Sequence, residues 1–448
     1  MVNTLFLPEI REMLAENNNR ELQEFCTALH PARTAEFMEG LEPQEAWAVL
    51  QHAERSVQSE IFHYFEWDRK VELLAEQDPL QVAKLLTALS ADDAVDLLQE
   101  LPSERVEELL ALVPATDRRD IRKLQSFAEG TAGSLMTTEA ACLDETLSVK
   151  QALEQLSRQA EHLETVYYIY VTDDNNRLKG VVNTRRLVSA IGRSDTRLGE
   201  IMETDLVVCH VGDDQEAVAQ KVARYNLLAI PVVDSNRHMM GIITHDDVID
   251  VMVEEATEDV QRIAAVEPLS DSYMRTSLWT LSWKRGMWLT ILFFAELITA
   301  FVLKFYDRDF EMYRWLVFFI PLIISSGGNS GSQSSTLIIT SLAKEDAKLS
   351  QWKRIVLREF GQGLLLGTFL GFIGFFCAIV LAPTVHAAMV IPLTILAIVI
   401  FGTFIGSILP MLFRRIGWDP ALMSNPFVAG IIDISGIIIY INIAMLIL

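Results

Sequence analysis

The chain has 448 residues, half of them hydrophobic, with a net charge of −23 and a pI near 4.8. The charge is unevenly held: residues 286–448 carry 10 basic and 9 acidic side chains, which leaves 27 basic and 51 acidic in residues 1–285, a balance of −24. So acidic a region is a poor partner for nucleic acid or an anionic lipid surface and a natural one for cations, although part of the acidity is the ordinary surface charge of a soluble domain.

Four cysteines, Cys26, Cys142, Cys209 and Cys377, form no CxxC pair, so neither a disulfide framework nor a zinc site is expected. The start, Met1-Val-Asn-Thr-Leu-Phe-Leu-Pro, lacks a basic segment followed by a long apolar run. It does not read as a signal peptide, and the acidic half is expected in the cytoplasm.

Residues 1–130 read as an all-helical N-terminal domain. Leu89-Ser-Ala-Asp-Asp, Leu101-Pro-Ser-Glu-Arg and Val113-Pro-Ala-Thr-Asp each offer a Ser or Pro entry followed by acidic residues, as helix N-termini prefer, and they recur every 12 residues. Short stacked helices of this kind form a solenoid.

Residues 131–256 hold an internal repeat, 131–199 and 200–256. Val171-Thr-Asp-Asp-Asn-Asn-Arg-Leu-Lys-Gly180-Val-Val in the first copy matches Val233-Asp-Ser-Asn-Arg-His-Met-Met-Gly241-Ile-Ile in the second. Ser134-Leu-Met-Thr-Thr and Glu200-Ile-Met-Glu-Thr match upstream. Each copy predicts strand, polar turn, glycine, strand and helix. The pattern resembles a tandem pair of cystathionine-β-synthase (CBS) domains. That resemblance implies an α/β regulatory sensor, often for adenosine nucleotides such as ATP, and seldom a catalyst.

Residues 254–284 are polar and then amphipathic, and a connector helix is assigned to 257–285. An uninterrupted helix here would transmit force into the membrane. Five spans follow in a transmembrane domain of residues 286–448, at roughly 286–305, 315–341, 356–382, 386–412 and 421–447, each near the ~20 residues that a bilayer requires. Lys284 and Arg285, then Lys344, Lys348, Lys353 and Arg354, then Arg414 and Arg415 mark cytoplasmic loops. Residues 382–387 lack Lys and Arg and are expected outside. The loop of 304–314 is mixed in charge and weakens the rule slightly.

Asp433 lies within the last apolar stretch. A charge at membrane depth costs on the order of 3 kcal/mol or more unless it meets water, an ion or a partner. The second span carries Ser325-Ser-Gly-Gly-Asn329-Ser-Gly. Its glycines permit either local unwinding or close helix packing, and Asn329 with free carbonyls would suit a hard cation or its water shell. Glu296 in the first span reads as a hydrogen-bonder inside the bundle, and Glu359 lies near the cytoplasmic edge beside Arg358. The acidic steps Asp247, Asp250 and Glu254 share one helix face, and Asp92 and Asp96 form an i,i+4 pair. His245-Asp246 resembles a metal-hydrolase dyad but has no further histidines at ligand spacing. No nucleophile–base pair or phosphate loop is present, so an enzyme is not expected.

Over essentially its whole length the chain is similar to the MgtE family of magnesium channels, through the Gly-Gly-Asn-Ser-Gly run, Asp433 followed by Gly436, and the Trp418-Asp-Pro-Ala-Leu entry to the last span. The resemblance implies a magnesium-selective channel in the cell's inner (plasma) membrane, working as a homodimer with one ion path on its twofold axis. Asp433 would bind hydrated Mg2+ with Asn329 and nearby backbone carbonyls. Mg2+ bound by Asp92, Asp96, Asp247, Asp250, Glu255, Glu258 and Asp259 would draw acidic faces together and close the pore when cytosolic Mg2+ is high. Asp419 would join that network or cap the helix at Pro420. Asn226 stands where some relatives carry an acidic residue, which implies a weaker sensor ligand. The first CBS copy has Asp173 and Asp174 in its turn but no counterpart of Asp246 and Asp247. A divalent-cation carrier using alternating access is the alternative, though five spans do not divide into two equal repeats. A membrane-anchored sensor would have no need of Asp433 or the glycine run.

Overall fold

The computed structural model describes residues 6–160, 163–269, 273–344 and 347–448. The first five residues, part of the segment screened for a signal peptide, and part of the connector at 270–272 lie outside the described residues. The chain divides into two compact units, Met1–Met252 and Val253–Leu448.

In the first unit, ten helices of 8 to 10 residues run from Leu7–Ala15 to Ala115–Leu124. Three of them, α1 (Ala91–Gln99), Ser103–Leu112 and Ala115–Leu124, start 12 residues apart, as the recurring Ser and Pro entries predict. Each offers one apolar face to a shared core that includes Phe62, Leu74, Leu86 and Leu98.

The repeat folds as two three-stranded sheets: β1 (Ala140–Asp144), β2 (Thr165–Thr172) and β3 (Leu178–Asn183), then β4 (Cys209–His210), β5 (Ala229–Val233) and β6 (Met239–Thr244). In each, the first pair of strands is parallel and the second antiparallel. The two glycines have a reciprocal purpose. Thr137 bridges to Ile242 and Glu203 to Val181, so the start of each copy lies against the other copy's last strand. A Cβ on Gly241 would stand 2.3 Å from the Thr137 carbonyl oxygen, and one on Gly180 would stand 2.9 Å from that of Glu203. The matching Met-containing segments upstream are therefore the partners that the matching glycines admit.

The helix α2 (Gln215–Tyr225) ends at Asn226, which adopts a left-handed conformation (φ 54°, ψ 47°) and donates its amide to Val222. Asparagine tolerates this C-terminal position well. The next helix, α3 (His245–Ile263), begins inside the second CBS copy and runs on past Met252. It ends at Ile263, and Ala265 turns the chain at φ 58°. The connector is thus a helix that starts earlier than 257 and stops well short of 285, not one rod reaching the membrane.

Among the described residues the second unit contains five long helices: α4 (Leu278–Phe305), α5 (Ile320–Ala343), α6 (Trp352–Leu381), α7 (Val390–Arg415) and α8 (Asn425–Ile447). Four of these are long and apolar enough to cross a membrane. The fifth, α5, has 24 residues but is rich in Ser, Gly and Thr. It packs against α7 and α8, while α6 packs along the other side of α7. The glycine run of α5 does not unwind. Small residues bring backbones together instead. A Cβ on Gly402 would lie 2.7 Å from the Gly327 carbonyl oxygen, and one on Gly406 would lie 2.2 Å from that of Gly331. The carbonyls of the run stay within a regular helix and are not free ligands.

Candidate functional site

The N-terminus of α8 is tied to α5 by side chains of α5. Ser332 Oγ donates to the Asn425 carbonyl at 3.2 Å, and the Thr336 hydroxyl and Asn425 amide exchange hydrogen bonds at 3.1 and 3.2 Å. Two turns further along α8, Asp433 meets the glycine run: its Oδ1 lies 3.7 Å from where a Cβ on Gly328 would stand. On its α4 side, the Asp433 carboxyl is in hydrogen-bond contact with Glu296. Asn329, next to Gly328, projects from an exposed face of α5 and donates to Ser325 Oγ at 3.2 Å. Asp433 thus lies against the glycine run, while Asn329 faces outward in the single chain. Glu359 has a packing role: Ser334, buried between helices, donates to Glu359 Oε2 at 2.6 Å and shares its proton with the Thr403 carbonyl at 3.1 Å.

A second group sits where α3 ends. Arg262 pairs with Glu258 one turn back and with Asp419 Oδ2. The other oxygen, Asp419 Oδ1, accepts the Ala421 amide at 2.8 Å. Asp419 caps the turn at Pro420, and its other oxygen pairs with Arg262 at the end of α3. Part-burial and the nearby charges of Asp419 and Glu255 push the Asp259 carboxyl up to about 6, against the pull of Arg262. Partial desolvation and the neighbouring Glu255 and Glu258 raise Glu254. One guanidinium therefore stands among several carboxylates that repel each other. Arg262 escapes a search for acidic spacing, because only the fold shows that it faces Asp419.

The third group lies within the first unit. Asp92 in α1 is only 9% exposed, and its Oδ1 has no hydrogen-bond partner among the described residues. Burial, then Asp247, Asp93 and Glu164, hold its carboxyl well above the usual range. Asp247 accepts from the Thr244 amide at 3.2 Å and the Thr244 hydroxyl at 2.5 Å. Burial and Asp246 outweigh those bonds and push Asp247 to about 6. Asp93 behaves oppositely: although burial opposes it, His63 at 3.5 Å keeps its carboxyl below the usual range. Asp250 acts on Lys70, whose ammonium is lowered by burial against the pull of Asp93 and Asp250. Asp96 is exposed one turn after Asp92, so the i,i+4 spacing does not give the two residues a common environment.

Two residues of this group carry no local sequence signal. Glu139 is pushed to about 7 by part-burial and by Asp117 and Asp120, and Glu164 to about 7 by partial desolvation, Glu139 and Asp247. Asp117, Asp120, Lys123 and Glu139 line a cleft of about 660 Å³. In an unfolded chain these carboxyls lose their protons near their ordinary values, whereas here they hold them up to about 6 or 7. The folded unit therefore binds more protons than the unfolded chain between roughly pH 4 and 7, and its stability falls as pH rises through that window. Without divalent ions, hydrogen exchange in α1 and β1 is expected to slow as pH is lowered from about 8 to about 6, after correction for intrinsic exchange. Protection independent of pH would show that these carboxyls do not repel one another.

The remaining candidates have ordinary structural roles. Asp173 accepts from the Asn175 and Arg177 amides and pairs with Lys179 at 3.3 Å. Asp234 makes the same turn in the second copy, with the Asn236 and His238 amides. Asp174 lies beside Asp173 in the first turn, and His245 is exposed at the start of α3. Among the described residues, no three His, Cys, Asp or Glu side chains converge as a ready-made metal cage.

Comparison with known proteins agrees along the whole chain. The family described as a divalent cation transporter, MgtE, matches residues 320–443, the MgtE intracellular N domain matches 29–130, and CBS domains match 132–193 and 198–254. The chain is 36% identical over 448 residues to the magnesium transporter MgtE of Thermus thermophilus, covering 98% of each, and 32% identical to that of Enterococcus faecalis, covering 97% of this chain and 95% of the relative. Among solved structures, the soluble part of a magnesium transporter is 33% identical with a TM-score of 0.52, covering 56% of this chain and 97% of that one. The cytosolic domain of the Mg2+ channel MgtE in complex with ATP is 33% identical with a TM-score of 0.50, covering 54% and 98%. With a helical N domain, a CBS pair and a membrane unit of long apolar helices, this chain belongs to the MgtE family of magnesium transporters.

Proposed function

We propose that this transporter is a magnesium-selective channel for Mg2+ uptake, closed by Mg2+ on its acidic cytosolic faces and opened when cytosolic Mg2+ falls. The observation that carries the ion path is Asp433 set against Gly328 between membrane helices. Magnesium sheds its water reluctantly, so a carboxylate beside a glycine-lined space suits the hydrated ion better than a cage of direct ligands would. In a homodimer, Asp433 meets its symmetry mate across one path. Exposed Asn329 in the helical bundle supports that assembly, because a polar group at membrane depth faces water or a partner.

For closure, the unpartnered Asp92 Oδ1 beside Asp247 fits a bound divalent cation, and Asp250, Glu254, Glu255, Glu258 and Asp259 continue the acidic face along α3 toward Asp419. Bound Mg2+ replaces repulsion between carboxylates by attraction to a shared ion. The shift is bounded by the difference in Mg2+ affinity between the two states. The CBS pair is the proposed ATP site, since a related cytosolic domain is solved in complex with ATP, and the buried Tyr170 hydroxyl, which has no partner among the described residues, marks a polar group there for a ligand to meet. The basic loops support a reading in which the first unit is cytoplasmic and the helices lie in the plasma membrane.

The test is Mg2+ flux into proteoliposomes of the full-length protein while Mg2+ on the regulatory face is varied. Flux that falls as regulatory Mg2+ rises, with no acceleration by Mg2+ loaded on the opposite side, is expected. Acceleration by exchange would instead favour a carrier that alternates access.

A further inference from the structure

Arg262 is the only Lys or Arg in α3, against seven Asp and Glu in the same helix. It stands one residue before the helix ends, and its two terminal nitrogens are divided. Nη2 pairs with Glu258 Oε1 on α3, and Nη1 pairs with Asp419 Oδ2 in the turn that leads into α8. Asp419 is steadied for that contact from its other side, where Oδ1 accepts the Ala421 amide. All three side chains are part-buried, so their charges are less screened than on an open surface. Beyond Arg262 the chain folds onto α4: Lys284 Nζ donates to the Pro268 carbonyl, and Trp288 Nε1 donates to Glu267 Oε2 at 3.4 Å. The end of α3 is therefore tied to α4 after the helix stops and to the entry of α8 through Arg262.

We propose that Arg262 is an inbuilt cation that sets the Mg2+ level for closure: it joins α3 to the entry of α8 and supplies, at every Mg2+ level, part of the attraction that holds the closed state. The proposal rests on the reading that Mg2+ on the acidic faces closes the channel. A guanidinium stays charged at any working pH, and its planar fork serves two carboxylates at once. Between Glu258 and Asp419 it removes repulsion as a bound metal ion would, but it belongs to the chain. The closed state thus starts with a fixed advantage, and Mg2+ adds only its own difference in affinity between the two states. Arg262→Gln keeps a hydrogen-bond donor and removes the charge. Glu258 and Asp419 then lose their shared cation, and more Mg2+ is needed to reach the same closed population.

The experiment measures Mg2+ flux in proteoliposomes of the full-length protein against Mg2+ on the regulatory face, for wild type, Arg262→Gln, Arg262→Lys, Asp419→Asn and the double variant Arg262→Gln, Asp419→Asn. Arg262→Gln is expected to raise the half-inhibiting Mg2+ about threefold, the scale of a part-exposed ion pair, with flux at zero regulatory Mg2+ no lower than wild type. Arg262→Lys keeps the charge without the fork and is expected to fall between the two. Asp419→Asn retains an acceptor for the Ala421 amide and loses the charge that Arg262 meets. On that background Arg262→Gln is expected to shift half-inhibition by less than half as much, because the two residues act through one contact. A merely structural role would lower flux at zero regulatory Mg2+ in the glutamine and lysine variants alike and leave half-inhibition unmoved. An unmoved half-inhibition in Arg262→Gln overturns the proposal. A lowered one overturns it too, since Arg262 would then compete with Mg2+ rather than share its task. Wild-type flux indifferent to regulatory Mg2+ overturns the closure reading and the proposal with it.

Discussion

Asp433→Ala in the full-length protein is expected to lower Mg2+ flux by at least about tenfold while the folded protein becomes no less stable. The two halves of that expectation have one physical source. A carboxylate at membrane depth is costly to fold, so removing it offsets the loss of its contact with Glu296. The same carboxylate is the group whose charge holds a divalent ion that keeps its water shell. Asp433→Asn retains an oxygen acceptor but loses the charge, and is expected to fall between the two. Flux in reconstituted vesicles and thermal unfolding in detergent separate the cases. A variant that is stable and silent supports the pore reading. A stable variant that conducts normally removes Asp433 from the ion path.

The second large effect concerns closure. Within the folded first unit Asp247 repels the Asp92 carboxylate, whose charged form burial already disfavours. In the double variant Asp92→Asn, Asp247→Asn, that repulsion disappears and so does the charge that draws Mg2+. Protection of α1 and of the start of α3 in the absence of Mg2+ is expected to rise. The further protection conferred by Mg2+ is expected to shrink by more than half. Hydrogen exchange of the full chain with and without Mg2+ reads both changes, and flux reads the consequence as a flattened response to regulatory Mg2+. A double variant with a wild-type magnesium response would place the sensor elsewhere on the acidic faces.

Much of this architecture was legible because it is local. Helix entries at Ala91, Ser103 and Ala115 follow from Ser and Pro signals. The CBS repeat follows from two glycines in register, and Asp433 from one charge in an apolar run. What was not legible depends on which segments meet. Arg262 and Asp419 are 157 residues apart, and no spacing rule joins them. Glu139 and Glu164 have ordinary surroundings in sequence and acquire their repulsion only when the chain folds them beside other carboxylates. The glycine run was ambiguous between unwinding and packing until Gly402 and Gly406 on α7 appeared opposite it. Glu296 was correctly read as a hydrogen-bonder, but its partner could not be named before α4 and α8 were seen to touch. Asp96 shows the converse limit: helical spacing assigns a face but not what covers it.

The contact of Gly327 and Gly331 with Gly402 and Gly406 places main chain on main chain, with no side chains between to act as a cushion. Rods pressed together in this way cannot roll about their own axes without colliding, and packed elements tend to switch between discrete arrangements rather than bend. With α8 tied to α5 through Ser332 and Thr336, three helices form the fixed jaw of a clamp. The other jaw is α4, which is nearly bare of neighbours within the chain and leans chiefly on α8. It is also the helix that follows the connector in sequence, so the connector leads into the least buried of the four long apolar helices.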